Sequence, residues 1–350
     1  MNIVELLEQV KRVSGSDLVL SVQARPQAKS VRGLTPIGDD PVTESQIHRL
    51  VHGLLTETEY ERLLENRAID VHKDFDALGA VRFSIFHQRD KLALVGRVIP
   101  EHIPDLDSLG TPVSVEALVS ARAGLVLVSG PCGSGKTTTL AAAIDYLNRT
   151  RPYHIISIED PIEYRHTNKC SVIEQIEIGK DAHSYYDALR AGFRRIPDVT
   201  VIGELTDRET TDLALQLAET GHLVMATIHS RDTIQAINRI IDLFPKEQRE
   251  QISYLLAEVL TGVVAQQLIP SKDGTRRILA SEVLFSTLAV RNIVREQRTE
   301  QLYSVLQSGS SDGMLSMNDS LCRLAKTGTI SKEEALLRSN RPKELAKMLT

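Results

Sequence analysis

The sequence predicts an α/β protein of compound architecture: an α+β module over residues 1–99, a linker over 100–112, a strand–helix domain over 113–285 and a helical region over 286–350. Three observations carry this. From about residue 113, short apolar strands alternate with helices. A complete phosphate-loop pattern joins one of those strands to the helix after it. Ahead of both, Pro100, Pro104, Gly110 and Pro112 allow neither helix nor strand to run through.

Each element has its own signal. Ile3, Leu6, Leu7, Val10 and Val13 recur at helical spacing in the first thirteen residues. Glu5 and Glu8 make that stretch too acidic for a secretory signal, so the expected location is the cytoplasm. Asp17 to Val22 reads as a strand with Leu18 and Leu20 on one face and Val19 on the other, punctuated by Ser14, Gly15 and Ser16. Val81 to His87 and Leu92 to Ile99 flank Gln88-Arg89-Asp90-Lys91 as a hairpin. Leu125 to Val128, Ile155 to Ile158, Val199 to Ile202 and Leu223 to Thr227 are short apolar strands, with helices after Lys136 and around Asp187 to Arg195. Such strands belong to a largely parallel sheet covered by helices on both faces. After Ser286 the pattern is helical, broken at Gly309 to Gly313.

Composition narrows the function. At roughly 150 residues per domain, the 350 residues suggest two domains. Lys and Arg total 41 against 46 Asp and Glu, a net charge of −5 that disfavours a nucleic-acid partner. No apolar run approaches the ~18 residues of a membrane span. Cys132, Cys170 and Cys322 are too scattered for a zinc site or an intrachain disulfide framework.

Gly130-Pro131-Cys132-Gly133-Ser134-Gly135-Lys136-Thr137 satisfies GxxxxGK[ST]. Gly130, Gly133 and Gly135 let backbone N–H groups approach phosphate oxygens at a helix N-terminus. Lys136 would neutralise the β/γ-phosphates and Thr137 would ligate Mg²⁺. The expected nucleotide-binding set is Gly130, Cys132, Gly133, Ser134, Gly135, Lys136, Thr137 and Thr138, with ATP and Mg²⁺ as ligands. Such a site also needs an acidic residue to hold Mg²⁺ through water, and a base for the attacking water. Two strand ends offer carboxylates: Glu159, Asp160 and Glu163 after Ile158, and Glu204 after Ile202. His222 and His229 flank another strand, and their spacing alone assigns them no role.

Four segments together resemble the secretion ATPase superfamily, and within it the type IV pilus retraction ATPases. They are the phosphate loop, Ile158 to Tyr164 as an Asp-box, Pro197 to Glu204 as a Walker B segment and Glu219 to His229 as a His-box. Val290 to Glu296 resembles the AIRNLIRE motif of retraction ATPases, and Ser14 to Leu18 and Ser310 to Met314 extend the similarity over nearly the whole chain. The resemblance implies a PAS-like N-terminal domain, a RecA-like P-loop ATPase domain and a C-terminal helical region, assembled as a homohexamer at the cytoplasmic face of the inner membrane. The implied partners are an inner-membrane platform protein and a paralogous pilus ATPase, and the implied activity is pilus retraction. It also implies Glu163 as catalytic base, Glu204 as Walker B carboxylate holding Mg²⁺ together with Thr137, His229 as a catalytic group and His222 at the nucleotide. Arg82 and Arg97 match arginines that reach the phosphates. Arg190 and Arg194 match family positions of less defined role.

The chain departs from the family pattern at Ile196, Thr206 and Ser84. Those departures motivate a reading of another class, a non-hydrolysing nucleotide-binding regulator of a paralogous motor. The nearest alternative on the same fold is a pilus extension or type II secretion ATPase. Such chains typically carry a longer N-terminal region and often a tetracysteine zinc insertion, so retraction is favoured.

Overall fold

The computed structural model describes residues 1–13, 15–30, 33–75, 78–99 and 102–350. Ser14, expected to punctuate the first strand, and Pro100, the first breaker of the linker, lie outside them. The chain divides into two units, Met1–His102 with Gly274–Arg276, and Ile103–Asp273 with Arg277–Thr350.

The first unit contains α1 (Ile3–Arg12), β1 (Asp17–Ser21), β2 (Gln27–Ser30), β3 (Gly33–Pro36), α2 (Glu44–Leu54), α3 (Glu57–Asn66), β4 (Ala68–Phe75), β5 (Gly79–Gln88) and β6 (Lys91–Val98). Its six strands form one antiparallel sheet in the order β3-β2-β1-β6-β5-β4. Strand periodicity sends Leu18, Leu20, Val81, Phe83 and Ile85 to one face, where they pack with Leu7 and Val10 of α1, Ile47 and Val51 of α2, and Leu63 of α3. Each such side chain stabilises the fold by roughly 1.5–3 kcal/mol over exposure. Capping boxes start α2 at Thr43 and Gln46, and α3 at Thr56 and Glu59. The β5–β6 turn is tighter than the sequence suggests: the strands run on to Gln88 and Lys91, leaving Arg89 and Asp90 as a two-residue turn with both φ angles positive.

The second unit contains α4 (Ser114–Val119), β7 (Gly124–Ser129), α5 (Lys136–Thr150), β8 (His154–Glu159), β9 (Val172–Glu177), α6 (Tyr185–Phe193), β10 (Val199–Ile202), α7 (Arg208–Glu219), β11 (Leu223–Ile228), α8 (Thr233–Asp242), α9 (Arg249–Val259), β12 (Leu260–Pro270) and β13 (Arg277–Phe285). The helices α10 (Leu288–Arg295), α11 (Leu302–Ser308), α12 (Met317–Lys326), α13 (Lys332–Arg338) and α14 (Pro342–Met348) follow. Seven strands lie in the order β13-β12-β7-β11-β10-β8-β9, parallel except for the β12–β13 pair. The central strands are buried on both faces. Leu125, Leu127, Ile156 and Ile158 share one core with α7, α8 and α9, while Val126, Val128, Val199 and Val201 share another with α4 and α5.

Two features differ from a bare linker and a simple alternation. Residues 103–112 belong to the second unit, because Leu106 is buried in its core, Asp105 pairs with Arg149 and Thr111 Oγ1 donates to the Leu106 carbonyl. The strands β9, β12 and β13 are additional to those the sequence singles out. Polar Glu174, Gln175 and Glu177 dilute the apolar signal of β9, and α9 passes straight into β12 with no glycine or proline between. All three cysteines are free. No helix among the described residues is long and apolar enough to cross a membrane.

Candidate nucleotide-binding site

The site begins where β7 ends. Gly130 follows Ser129 in a space without room for a side chain: a Cβ there would stand 2.3 Å from Ser134 Oγ and 2.6 Å from the Gln266 carbonyl oxygen. Gly133 and Gly135 adopt positive φ angles of 76° and 90°, and Gly135 caps α5 without a side-chain bond. The first-turn N–H groups of α5 therefore lack both intrahelical acceptors and a competing cap, the arrangement that receives phosphate. Ser134 Oγ is buried with no hydrogen-bond partner, an orphaned hydroxyl consistent with a ligand on this loop. Cys132 is exposed on the same loop.

Lys136 is buried at the start of α5 and turns back over the loop. Its Nζ donates to the carbonyls of Gly130 at 3.0 Å and Pro131 at 3.2 Å, and lies 3.3 Å from His229 Nδ1. Burial lowers its pKa, while Cys132, Glu204 and Glu163 act in the opposite sense. His229 Nε2 stands 3.1 Å from Glu204 Oε1. Because an ammonium can only donate, Nδ1 of His229 must accept, which puts the ring proton on Nε2 facing Glu204. Lys136, His229 and Glu204 thus form one chain of polar contacts, drawn from the first turn of α5, the end of β11 and the end of β10.

Close backbone approach holds the carboxylates in place. Glu204 follows Gly203, where a Cβ would meet Tyr185 Oη at 2.8 Å, and whose carbonyl accepts from Thr227 Oγ1 at 2.5 Å. Glu163 follows β8 across a cis Asp160–Pro161 bond. The next residue, Tyr164, hydrogen-bonds through its Oη with Thr138 Oγ1 at 3.0 Å and so docks this segment on α5. Glu159 has a different role. It accepts from Ser157 Oγ at 2.7 Å and Gln175 Nε2 at 3.2 Å, and burial raises its pKa. It secures the end of β8 and leaves Glu163 as the carboxylate that acts on Lys136.

The structure brings together the loop residues 130–138, Glu163, Glu204 and His229, and separates His222 from them. His222 precedes β11 and His229 follows it. Six strand residues at ~3.3 Å each put about 20 Å between the two histidines, so within one chain His222 stands at the opposite end of β11 from the phosphate loop. His222 Nδ1 instead lies 3.1 Å from Thr220 Oγ1 and 3.2 Å from the Leu217 carbonyl oxygen, capping the end of α7. Arg82 and Arg97 belong to the first unit, where they face each other across β5 and β6. Arg82 pairs with Asp70 at 3.0 Å and Arg97 with Asp17 at 2.8 Å. Arg190 and Arg194 are exposed on and just after α6. On and beside α10, Arg295 pairs with Glu258 and lies over the Tyr254 ring, and Arg298 pairs with Glu296.

Sequence reasoning did not single out Gln266, Thr227 or Tyr164 for the site. Gln266 Nε2 donates to Thr139 Oγ1 at 2.8 Å and its backbone crowds Gly130, joining β12 to the loop. Only the position of Tyr164 beside Glu163 could have signalled its part.

Among the described residues, no group of three or more His, Cys, Asp or Glu forms a cage for a metal ion. Mg²⁺ keeps several waters and is held by one or two protein groups together with substrate phosphates, and the Thr137 hydroxyl and Glu204 carboxylate are oxygen donors of the type it would take.

A complete phosphate loop between β7 and α5, with acidic groups at the carboxyl ends of neighbouring strands, defines a nucleotide-binding P-loop domain. Residues 101–334 match the family model described as type II/IV secretion system protein. The chain is 37% identical over 335 residues to the type IV pilus retraction ATPase PilT of Pseudomonas aeruginosa, covering 96% of this chain and 97% of that protein. It is 35% identical to the type IV pilus ATPase PilU of the same organism, covering 100% of this chain and 91% of that one. A crystal structure of the pilus retraction motor PilT with bound ADP superposes with a TM-score of 0.89 at 39% identity, covering 99% of both chains. The chain belongs to the type II/IV secretion system protein family and has the RecA-like fold of its P-loop ATPases.

Proposed function

We propose that the chain is the Mg²⁺-dependent ATPase motor of type IV pilus retraction, working as a homohexamer at the cytoplasmic face of the inner membrane against a platform protein. The observation that carries this reading is the contact chain from Lys136 through His229 to Glu204 beside a complete phosphate loop, in a chain similar over nearly its full length to a retraction ATPase.

The loop N–H groups and Lys136 bind and neutralise the β/γ-phosphates of ATP. The Thr137 hydroxyl and, through water, Glu204 would hold Mg²⁺, whose charge would offset that of the phosphates. Glu163 orients water and accepts its proton as the oxygen attacks the γ-phosphorus, with ADP as leaving group. His229 links the phosphate side to the Glu204 side, so loss of the γ-phosphate changes the charge that Lys136 and His229 face. Arg82 and Arg97 supply further positive charge to the phosphates, a role supported by the family resemblance. Hydrolysis then drives a conformational cycle that displaces the platform protein.

The reading is tested by counting surface pili in source cells carrying Lys136→Ala. Accumulated long pili are expected. Loss of pili would instead assign extension, and unchanged pili would oppose a motor role. The departures at Ile196, Thr206 and Ser84, with Ile196 81% exposed at a positive φ of 56°, favour as a second reading a non-hydrolysing regulator of a paralogous motor. Phosphate release by the purified chain no greater than that of Lys136→Ala would select it.

A further inference from the structure

We propose that Glu282 is a positioning residue of the nucleotide site: a buried carboxylate that ties the segment carrying His229 to the start of α12, so that the two shift together. The proposal rests on the reading of the phosphate-loop site as hydrolytic. Glu282 belongs to none of the motifs. It lies on β13 with 4% exposure. Its Oε1 accepts from the Thr233 backbone N–H at 2.9 Å and from the Thr233 hydroxyl at 2.8 Å, and its Oε2 accepts from the Met317 N–H at 3.2 Å. Thr233 and Met317 are the first residues of α8 and α12. One carboxylate is therefore shared by two helix N-termini, each presenting the positive end of its dipole. Burial raises the pKa of Glu282, and such a carboxyl group is costly to hold in a core that an apolar residue could fill.

The geometry makes the tie specific to the site. Only Ser230, Arg231 and Asp232 separate Thr233 from His229, whose ring reaches both Lys136 and Glu204. A displacement of the first turn of α8 thus carries His229 with it. On the other side, Leu315 and Val283 exchange backbone bonds of 2.8 and 3.0 Å, which lock the approach to α12 onto β13 beside Glu282. A second contact runs the same way: Asn340 Nδ2, between α13 and α14, lies 3.5 Å from Oδ2 of Asp232, the cap of α8. An open cleft of ≈ 60 Å³ adjoins Glu282 between the starts of α8 and α12, lined by Asp232, Ile234, Tyr303, Asn318 and Arg341.

The test uses the full chain. Glu282→Gln keeps an acceptor for Thr233 but turns an NH₂ donor toward the Met317 N–H, breaking the α12 arm alone. Thr233→Val removes the hydroxyl donor of the other arm, and Thr233→Ser restores it. In Glu282→Gln, kcat for phosphate release is expected to fall about tenfold with KM within about twofold. Thr233→Val should fall in the same direction, with Thr233→Ser recovering most of the loss. Hydrogen exchange of the Met317–Lys326 amides should respond to ADP in the wild type and lose that response in Glu282→Gln. Wild-type kcat in both Glu282→Gln and Thr233→Val, or an α12 response to ADP that Glu282→Gln leaves intact, would overturn the proposal. Should Glu282→Gln be insoluble, the Thr233 pair decides. A wild type that binds ADP yet releases no phosphate would refute the hydrolytic reading, and the exchange comparison would still judge the tie.

Discussion

The two ends of the second unit's sheet share the same strands and contrast in chemistry. At the carboxyl ends, residues from four different connections converge: Lys136, His229 and Glu204 form one contact chain, Tyr164 bonds to the first turn of α5, and the Glu163 charge acts on Lys136. At the amino ends, His222 caps α7, and Phe193 and Ile196 are exposed. Ile196 also takes a left-handed conformation that β-branched residues avoid, at a cost of ~1–2 kcal/mol. Parallel strands send every following loop to one end, so dispersed motif residues converge there, while the opposite end is left to surface roles.

The largest effect should come from the carboxyl end. Glu163→Gln is expected to lower kcat by roughly 10²–10⁴-fold, with nucleotide affinity kept within a fewfold, as read by phosphate release and fluorescent-nucleotide titration. Near-normal turnover would remove Glu163 as the base. The two histidines sharpen the contrast next. His229→Ala should cut kcat by at least tenfold, a change of about 1.4 kcal/mol in barrier, whereas His222→Ala should leave nucleotide affinity of the chain unchanged. Equal losses of affinity in the two variants would break the division between the ends.

At the amino end, Ile196→Gly should stabilise the chain by up to about 1 kcal/mol, because glycine adopts positive φ without the Cβ penalty. A lower unfolding midpoint would show that Ile196 makes a contact the strain argument omits. The smallest effect concerns Glu159. Its folded-state pKa is raised, chiefly by burial, so its contribution is fully present below the unfolded carboxyl range near 4.5 and is lost as pH rises through the raised value. Glu159→Gln should therefore weaken the decline in stability as pH rises from that range. An unaltered pH slope would contradict the assignment of Glu159 as a buried structural carboxylate.

Much of the site was legible because its residues are local to strand ends. The phosphate loop is contiguous, and Glu163 and Glu204 each follow an apolar run that terminates in acid. The histidines were not separable by pattern, since both flank one strand and only strand length places them about 20 Å apart. Glu282 left no sequence signal, because its partners Thr233 and Met317 are 49 and 35 residues distant. The strands β12 and β13 were obscured for a related reason: α9 runs directly into β12, and the pairing with β7 joins segments over a hundred residues apart. The antiparallel sheet of the first unit was legible only in β1 and the β5–β6 hairpin. Short β2 and exposed β3 carry little alternation.

The central claim is that this phosphate-loop site turns over ATP. The most direct test is Mg²⁺-dependent phosphate release by the purified full chain beside Lys136→Ala, with folding of both verified by circular dichroism. Release by the wild type and its loss in the variant is the predicted result. Equal release by the two proteins, or none by either, would contradict it.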